Sequence, residues 1–169
     1  MKVLVTSSSK HGATEEIGEA VARRLGERGL DVDVTRPADV DRLDDYDVVV
    51  LGSGVYAGQW IREARTFVEV FADDLRAMPV WLFSSGPVGE PPVPASEPAG
   101  VAPIVEAIAP REHRVFAGRL DPGSLNIAER TVLKVVRAEP GDFRDWDDVT
   151  AWADAIADQL AAGIAVLAE

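Results

Sequence analysis

Apolar residues recur along this chain with two different periods. Lys2–Thr6 reads as a short buried strand, apolar and β-branched. Ser7–Ala13 is small and polar and predicts a loop, after which Thr14-Glu15-Glu16 opens a helix. Ile17, Val21 and Leu25 then repeat every four residues, one face of that helix, with Gly29 as its stop. Asp31–Thr35 alternates polar and apolar, as a strand with one exposed face does. Asp47–Leu51 is a strongly apolar strand, expected to end at Gly52-Ser53-Gly54. Ile61, Ala64, Phe67, Val68, Phe71 and Leu75 share one face of a second helix, and Val80–Phe83 is a fourth strand. Val101–Ala109 reads as a short helix, Arg114–Ala117 as a fifth strand, and Ser124–Arg137 and Trp146–Ala162 as helices.

Strands and helices therefore largely alternate, and the strands are continuously apolar rather than half polar. A sheet of such strands is covered on both faces, which predicts an α/β fold with a parallel, doubly wound sheet. Ligands bind such sheets beyond the carboxyl ends of the strands, where strand order reverses. That directs attention to the loops Ser7–Thr14, Gly52–Trp60 and Ser84–Gly100. The chain's 169 residues suit a single domain, 1–169. One compositional break interrupts it: six of the 11 prolines lie between Pro87 and Pro103. Periodic segments resume afterwards, so this is read as a long loop and not as a linker.

Composition narrows the chemistry. Seventeen basic against 29 acidic residues give a net charge of −12, which argues against binding nucleic-acid phosphates or anionic lipid through bulk charge. No cysteine is present, which removes disulfides, thiolate metal sites and a cysteine nucleophile. His11 and His113 lack metal-ligand spacing, and no metal site is expected. No apolar run approaches the roughly 18–20 residues that span a bilayer, and Met1-Lys2-Val3-Leu4 enters a strand without a signal-peptide pattern. The expectation is a cytoplasmic protein.

The loop from Ser7 to Thr14 joins a strand to a helix N-terminus, where backbone N–H groups collect at the positive end of the helix dipole. Hydroxyls on Ser7, Ser9 and Thr14 add donors, and Gly12 permits a close backbone approach. Two readings stand at this point: a phosphate site, or plain capping with Thr14 as N-cap. GxxxxGK[ST] is absent, and the first loop lacks GxGxxG. A phospho-receiver is excluded because Ser7-Ser8 and Gly52 stand where its acidic residues belong.

Ser9-Lys10-His11-Gly12-Ala13-Thr14 followed by Glu15-Glu16-Ile17 resembles the phosphate loop of the flavodoxin family, S-x-T-G-x-T before a helix, with His11 in place of a Thr. Gly52–Trp60 resembles that family's second flavin loop. The resemblance implies a five-stranded parallel sheet of order 2-1-3-4-5 that binds FMN. Its phosphate would be held by Ser9, Lys10, His11, Gly12, Ala13 and Thr14. Its ring would lie between Gly54, Val55, Tyr56, Ala57 and Gly58 on one side and Ser85, Gly86, Val88 and Gly89 on the other. Tyr56 is the first candidate to stack on the ring and Trp60 the second. His11 is expected beside the phosphate and away from the ring, His113 in a structural role, and no catalytic acid or base is identified.

A narrower resemblance rests on Val55–Trp60, Val115–Asp121, Gly141-Asp142-Phe143-Arg144-Asp145-Trp146 and Trp152–Ala157. These are similar to flavodoxin-domain proteins of the menaquinone-dependent protoporphyrinogen oxidase type, with Pro122–Pro140 as that group's extra segment. This implies an oxidoreductase acting on a porphyrinogen, with a quinone or a redox partner as acceptor and peripheral contact with a membrane. Two other classes fit the residues: an electron-transfer flavodoxin without its own substrate, and a binding module of the same fold lacking FMN. Arg119, Arg130, Lys134 and Arg137 give the stretch from 119 to 137 a positive balance, read as an ordinary solvated helix face before a docking surface. Ser85–Gly100 is expected to form a rim or lid at the substrate edge.

Overall fold

The structure, a computed structural model, describes residues 1–86, 98–121, 123 and 140–167. The strands of the main sheet are β1 (Lys2–Ser8), β2 (Asp31–Val34), β3 (Val48–Tyr56), β4 (Gln59–Trp60), β5 (Val80–Ser85) and β6 (Glu112–Phe116). Five of them are parallel and lie in the order β2-β1-β3-β5-β6, while β4 folds back antiparallel on β3. The five parallel strands thus have the order 2-1-3-4-5 expected from the flavodoxin resemblance, with the reversal between β1 and β3.

Alternate residues of each strand enter two separate cores, as a sheet covered on both faces requires. Val3, Val5, Val48, Val50, Trp81 and Phe83 pack under α1 (Ala13–Glu27) and the last helix. Leu4, Val49, Leu51, Val80 and Leu82 pack under α2 (Arg62–Val70), α3 (Ala72–Ala77) and α4 (Ala102–Ile108). The last helix, α5 (Trp146–Leu167), lies beside α1. Arg24 and Arg28 fasten the two: Arg24 Nε lies 3.0 Å and Arg28 Nη1 2.7 Å from Asp154 Oδ1. A two-stranded ribbon, β7 (Arg119–Leu120) with β8 (Gly141–Asp142), sits apart from the main sheet.

β1 runs to Ser8, so Ser7 and Ser8, expected in the loop, are buried strand residues, and three further elements differ from expectation. First, β3 does not end at Gly52-Ser53-Gly54 but runs on to Tyr56. Gly52 is in the strand because a Cβ there would lie 2.0 Å from Phe83 Cζ, so the glycine makes room for a ring and is not a turn residue. Second, the segment after it is no open loop. Ala57 and Gly58 both have positive φ, 49° and 75°, the two-residue turn that matches the twist of a hairpin. Trp60 therefore closes a hairpin instead of opening a helix. Third, the single helix expected from Ile61 to Leu75 is two, parted at Phe71 (φ −107°, ψ 22°). Phe71 N still donates to Phe67 O and Leu75 N to Phe71 O, so the apolar face continues across the break and Leu75 stays buried.

The helix expected at Ser124–Arg137 and most of the proline-rich loop lie outside the described residues.

Candidate functional site

The carboxyl ends of β1, β3 and β5 lie side by side, with Ser8 opposite Ser53 and Gly54 opposite Ser85. Directly after β1, Gly12 is the N-cap of α1 at φ 81°. This corrects the capping alternative: Thr14 is inside the helix and 3% exposed, and the N-cap residue, a glycine, has no side chain to cap with. Only a glycine takes that left-handed turn without strain. Ser9 Oγ accepts from Thr14 N at 3.3 Å, drawing the loop into a closed curve. Ser9, His11, Gly12 and Ala13 are half-buried and Lys10 is exposed.

The second loop approaches the first through a glycine. A Cβ on Gly54 would come within 3.2 Å of Thr14 Oγ1 and of Tyr56 Cε2. Val55 is half-buried, and Tyr56, Ala57 and Gly58 form the hairpin tip, with Tyr56 and Ala57 exposed and Gly58 half-buried. Tyr56 is 37% exposed and touches the first loop twice. Lys10 Nζ lies 5.0 Å from its ring centroid, and the His11 ring meets it edge-on at 6.2 Å. His11 thus reaches Tyr56, the residue proposed for stacking.

On the far side, Ser85 ends β5 and Gly86 follows it. A Cβ on Gly118 would lie 3.3 Å from Gly86 Cα, and one on Gly86 3.1 Å from Val55 Cβ. Three successive strand ends are therefore pressed together through Val55, Gly86 and Gly118. Val88 and Gly89, and the expected lid apart from its two ends, lie outside the described residues. At its far end, Gly100 N donates to Gly58 O at 3.0 Å, so the proline-rich segment returns to the hairpin tip.

Trp60 does not stack at this site. It is 2% exposed, and its Nε1 donates to Ser84 Oγ at 2.7 Å. Ser84 Oγ lies 2.8 Å from His113 Nε2, and the Trp60 and His113 rings meet edge-on. His113, half-buried, accordingly ends a polar chain whose other members, Trp60 and Ser84, are buried in the sheet, the structural role expected of it.

Sequence reasoning missed the ionic cluster behind the first loop. Glu16, one turn into α1, accepts from Arg119 Nη1 at 3.0 Å and from Arg144 Nη1 at 2.7 Å. Arg144 also forks onto Asp142, and lies 4.5 Å from the Trp146 ring centroid. Burial pushes the Glu16 carboxyl up, but hydrogen bonds from Arg144 and Arg119 outweigh it and leave the group below its ordinary value. Hydrogen bonds from Arg144 hold Asp142 low as well. Arg119, counted above in a basic stretch, is turned inward to α1, while Arg130, Lys134 and Arg137 lie outside the described residues. No helix among the described residues is long and apolar enough to cross a membrane.

A family model described as the flavodoxin domain matches residues 4–147. The chain is 27% identical over 181 aligned positions to a protein of Escherichia coli (strain K12) named protoporphyrinogen IX dehydrogenase [quinone], covering 93% of this chain and 95% of that one. Among solved structures, a flavodoxin from the domain Archaea superposes with a TM-score of 0.64 at 16% identity, over 95% of this chain and 99% of its own. Rubredoxin oxygen:oxidoreductase from Desulfovibrio gigas superposes with a TM-score of 0.68 at 13% identity, over 97% of this chain and 37% of its own. FMN is the cofactor this family match indicates. The donor chemistry fits: a glycine-turned helix N-terminus with Ser9 and Thr14 suits a phosphate, and glycine-lined strand ends beside Tyr56 suit a flat ring.

Proposed function

Because the chain belongs to the flavodoxin domain family, we propose that it is an FMN-dependent oxidoreductase that takes electrons from a porphyrinogen and delivers them to a quinone. FMN, when bound, supplies the electron and proton acceptance, and the protein supplies binding, orientation and exclusion of water. The phosphate is assigned to Ser9, Lys10, His11, Gly12, Ala13 and Thr14. The ring is assigned to the gap between Gly54–Gly58 and Ser85–Gly86, with Val88 and Gly89 continuing that wall. Tyr56 offers it a face, and stacking of this kind contributes about 1 kcal/mol beyond burial.

The observation that carries the substrate reading is the likeness to the quinone-dependent E. coli protein across nearly the full length of both chains. The described structure adds support at the segment that the narrower resemblance singled out: Gly141–Trp146 docks on the phosphate loop's own helix through Arg144 and Glu16. The test is anaerobic incubation of the FMN-loaded protein with protoporphyrinogen IX, with porphyrin fluorescence as readout. Porphyrin formation that depends on both the protein and an added quinone is the expected result.

A second reading is an electron-transfer flavodoxin without a substrate of its own. The net charge of −12 favours it, since an acidic surface suits a basic redox partner. Absence of porphyrin formation, together with rapid electron delivery to a basic acceptor protein, would select it. A colourless protein that takes up no FMN on reconstitution would leave only the binding module.

A further inference from the structure

Among the described residues, Arg144 is the one charged side chain that is buried; the side chain is 2% exposed. A buried guanidinium needs a partner for each donor direction. Its Nε and Nη2 lie 2.8 and 2.6 Å from the two Asp142 oxygens. Its Nη1 reaches Glu16 Oε2 at 2.7 Å and the Ala13 carbonyl at 3.2 Å. Arg119 repeats the pattern from the neighbouring strand, with Nη1 on Glu16 and Nη2 3.5 Å from the His11 carbonyl. Two arginines of the β7–β8 region thus hold two carbonyls at the entry to α1, that of His11 in the loop and that of Ala13, the helix's first residue.

Resting on the FMN assignment above, we propose that Arg144 is a positioning residue for the cofactor's phosphate, aiming the loop's donors and cancelling the charge of Glu16 behind it. Two physical points carry this. The first is peptide planarity. In a trans peptide the C=O of one residue and the N–H of the next point in opposite directions. Drawing the Ala13 carbonyl toward Arg144 turns the Thr14 N–H toward the interior of the loop, and it does point there, onto Ser9 Oγ. Drawing the His11 carbonyl toward Arg119 turns the Gly12 N–H the same way. The second is charge. Glu16 Oε1 lies 4.0 Å from where a Cβ of Gly12 would stand, so a carboxylate sits directly behind the phosphate-binding turn. Among the described residues, two guanidiniums balance two carboxylates in this cluster. Without Arg144, one guanidinium faces both Glu16 and Asp142, and the potential at the turn becomes negative.

A brace that merely holds the fold together affects every ligand alike, whereas a residue acting on the phosphate discriminates between FMN and riboflavin, which has the same ring and no phosphate. Affinities of both for the apoprotein are read from quenching of flavin fluorescence, with the circular dichroism melting curve of each variant as a fold control. Arg144→Met is expected to weaken FMN at least tenfold and riboflavin less than twofold. Adding Glu16→Gln to Arg144→Met is expected to recover threefold or more of the FMN loss, because the uncompensated charge is gone. Glu16→Gln alone keeps the shape and the arginine, and is expected to tighten FMN by a few-fold while leaving riboflavin unchanged. This variant remains informative if Arg144→Met does not fold. Equal losses of FMN and riboflavin in Arg144→Met, or weaker FMN binding in Glu16→Gln, overturn the proposal. A wild-type protein that binds neither flavin overturns the FMN assignment itself.

Discussion

Gly52 on β3 and Phe83 on β5 face each other so closely that the phenyl ring occupies the place of the missing side chain, with Cζ 2.0 Å from an ideal Cβ. The same ring packs on Phe116 and Trp152 at centroid distances of 6.0 and 5.9 Å, joining the sheet to α5. Gly52→Ala forces this aromatic group to shift, and overpacking of such a core costs about 1–3 kcal/mol. A lower urea midpoint with an unchanged m-value is expected, and Phe83→Leu in the same chain is expected to recover part of the loss.

Gly12→Val is expected to abolish FMN binding while leaving a folded protein. The Cβ meets nothing closer than Glu16 Oε1 at 4.0 Å, so the fold itself is not blocked. A β-branched residue at φ 81° is strained by about 1–3 kcal/mol, so the turn that presents the loop's N–H groups to a phosphate is expected to distort. Equilibrium dialysis with FMN checks the first part, and circular dichroism the second.

Tyr56→Leu removes the aromatic face at the hairpin tip and leaves the phosphate loop intact. Stacking is worth about 1 kcal/mol beyond burial, so FMN and riboflavin are both expected to bind roughly fivefold more weakly. A loss confined to FMN in a fluorescence titration would place Tyr56 at the phosphate instead of the ring.

Ser84→Ala takes away the acceptor of Trp60 Nε1 and the partner of His113 Nε2 in one step. Ser84 is fully buried, and water cannot easily replace it. The expected cost is about 1–3 kcal/mol, seen in chemical denaturation, with flavin affinity largely preserved because the chain lies within the sheet.

Asp33, Asp142, Asp154 and Glu16 all sit below their ordinary pKa values in the folded protein. Hydrogen bonds from Lys2 then Tyr46 lower Asp33, and from Arg24 then Arg28 lower Asp154. A carboxyl that is more acidic folded than unfolded stabilises the protein above its unfolded pKa, about 4, and that contribution is lost as pH falls through the folded value. Stability is therefore expected to decline below about pH 4. Asp154→Asn is expected to make that decline shallower in urea midpoints measured across the acid range.

Local pattern revealed what local pattern determines. The four-residue recurrence of Ile17, Val21 and Leu25 marks α1 because all three face the same core, and the apolar run at Val48–Leu51 marks β3 because both of its faces are covered. Gly52 misled because a glycine that accommodates a ring from the next strand looks, in sequence, like one that ends a strand. The Ala57-Gly58 turn was obscured for a related reason: Ala57 is an unusual residue at positive φ. The candidate phosphate loop could be picked out in the sequence since its serines, glycine and threonine are contiguous. The arginines behind it were not, because Arg144 meets Glu16 across 128 positions and Ala13 across 131, and no spacing rule connects them.

The hydrogen bond from Gly100 to Gly58, together with that from Gly86 to Phe116, pins both ends of the proline-rich stretch to the sheet at its binding edge. A segment tethered in this way can change in length at little thermodynamic cost, since doubling a loop adds only about 0.6 kcal/mol of closure entropy. At its far end Pro98 is buried, and its carbonyl accepts from the N–H of Val101, a core residue. Exchange of the residues between these two anchors, with Pro98 kept, is therefore expected to leave the bonds at Gly86 and Gly100 in place, so a lineage could alter this edge without reworking the strands.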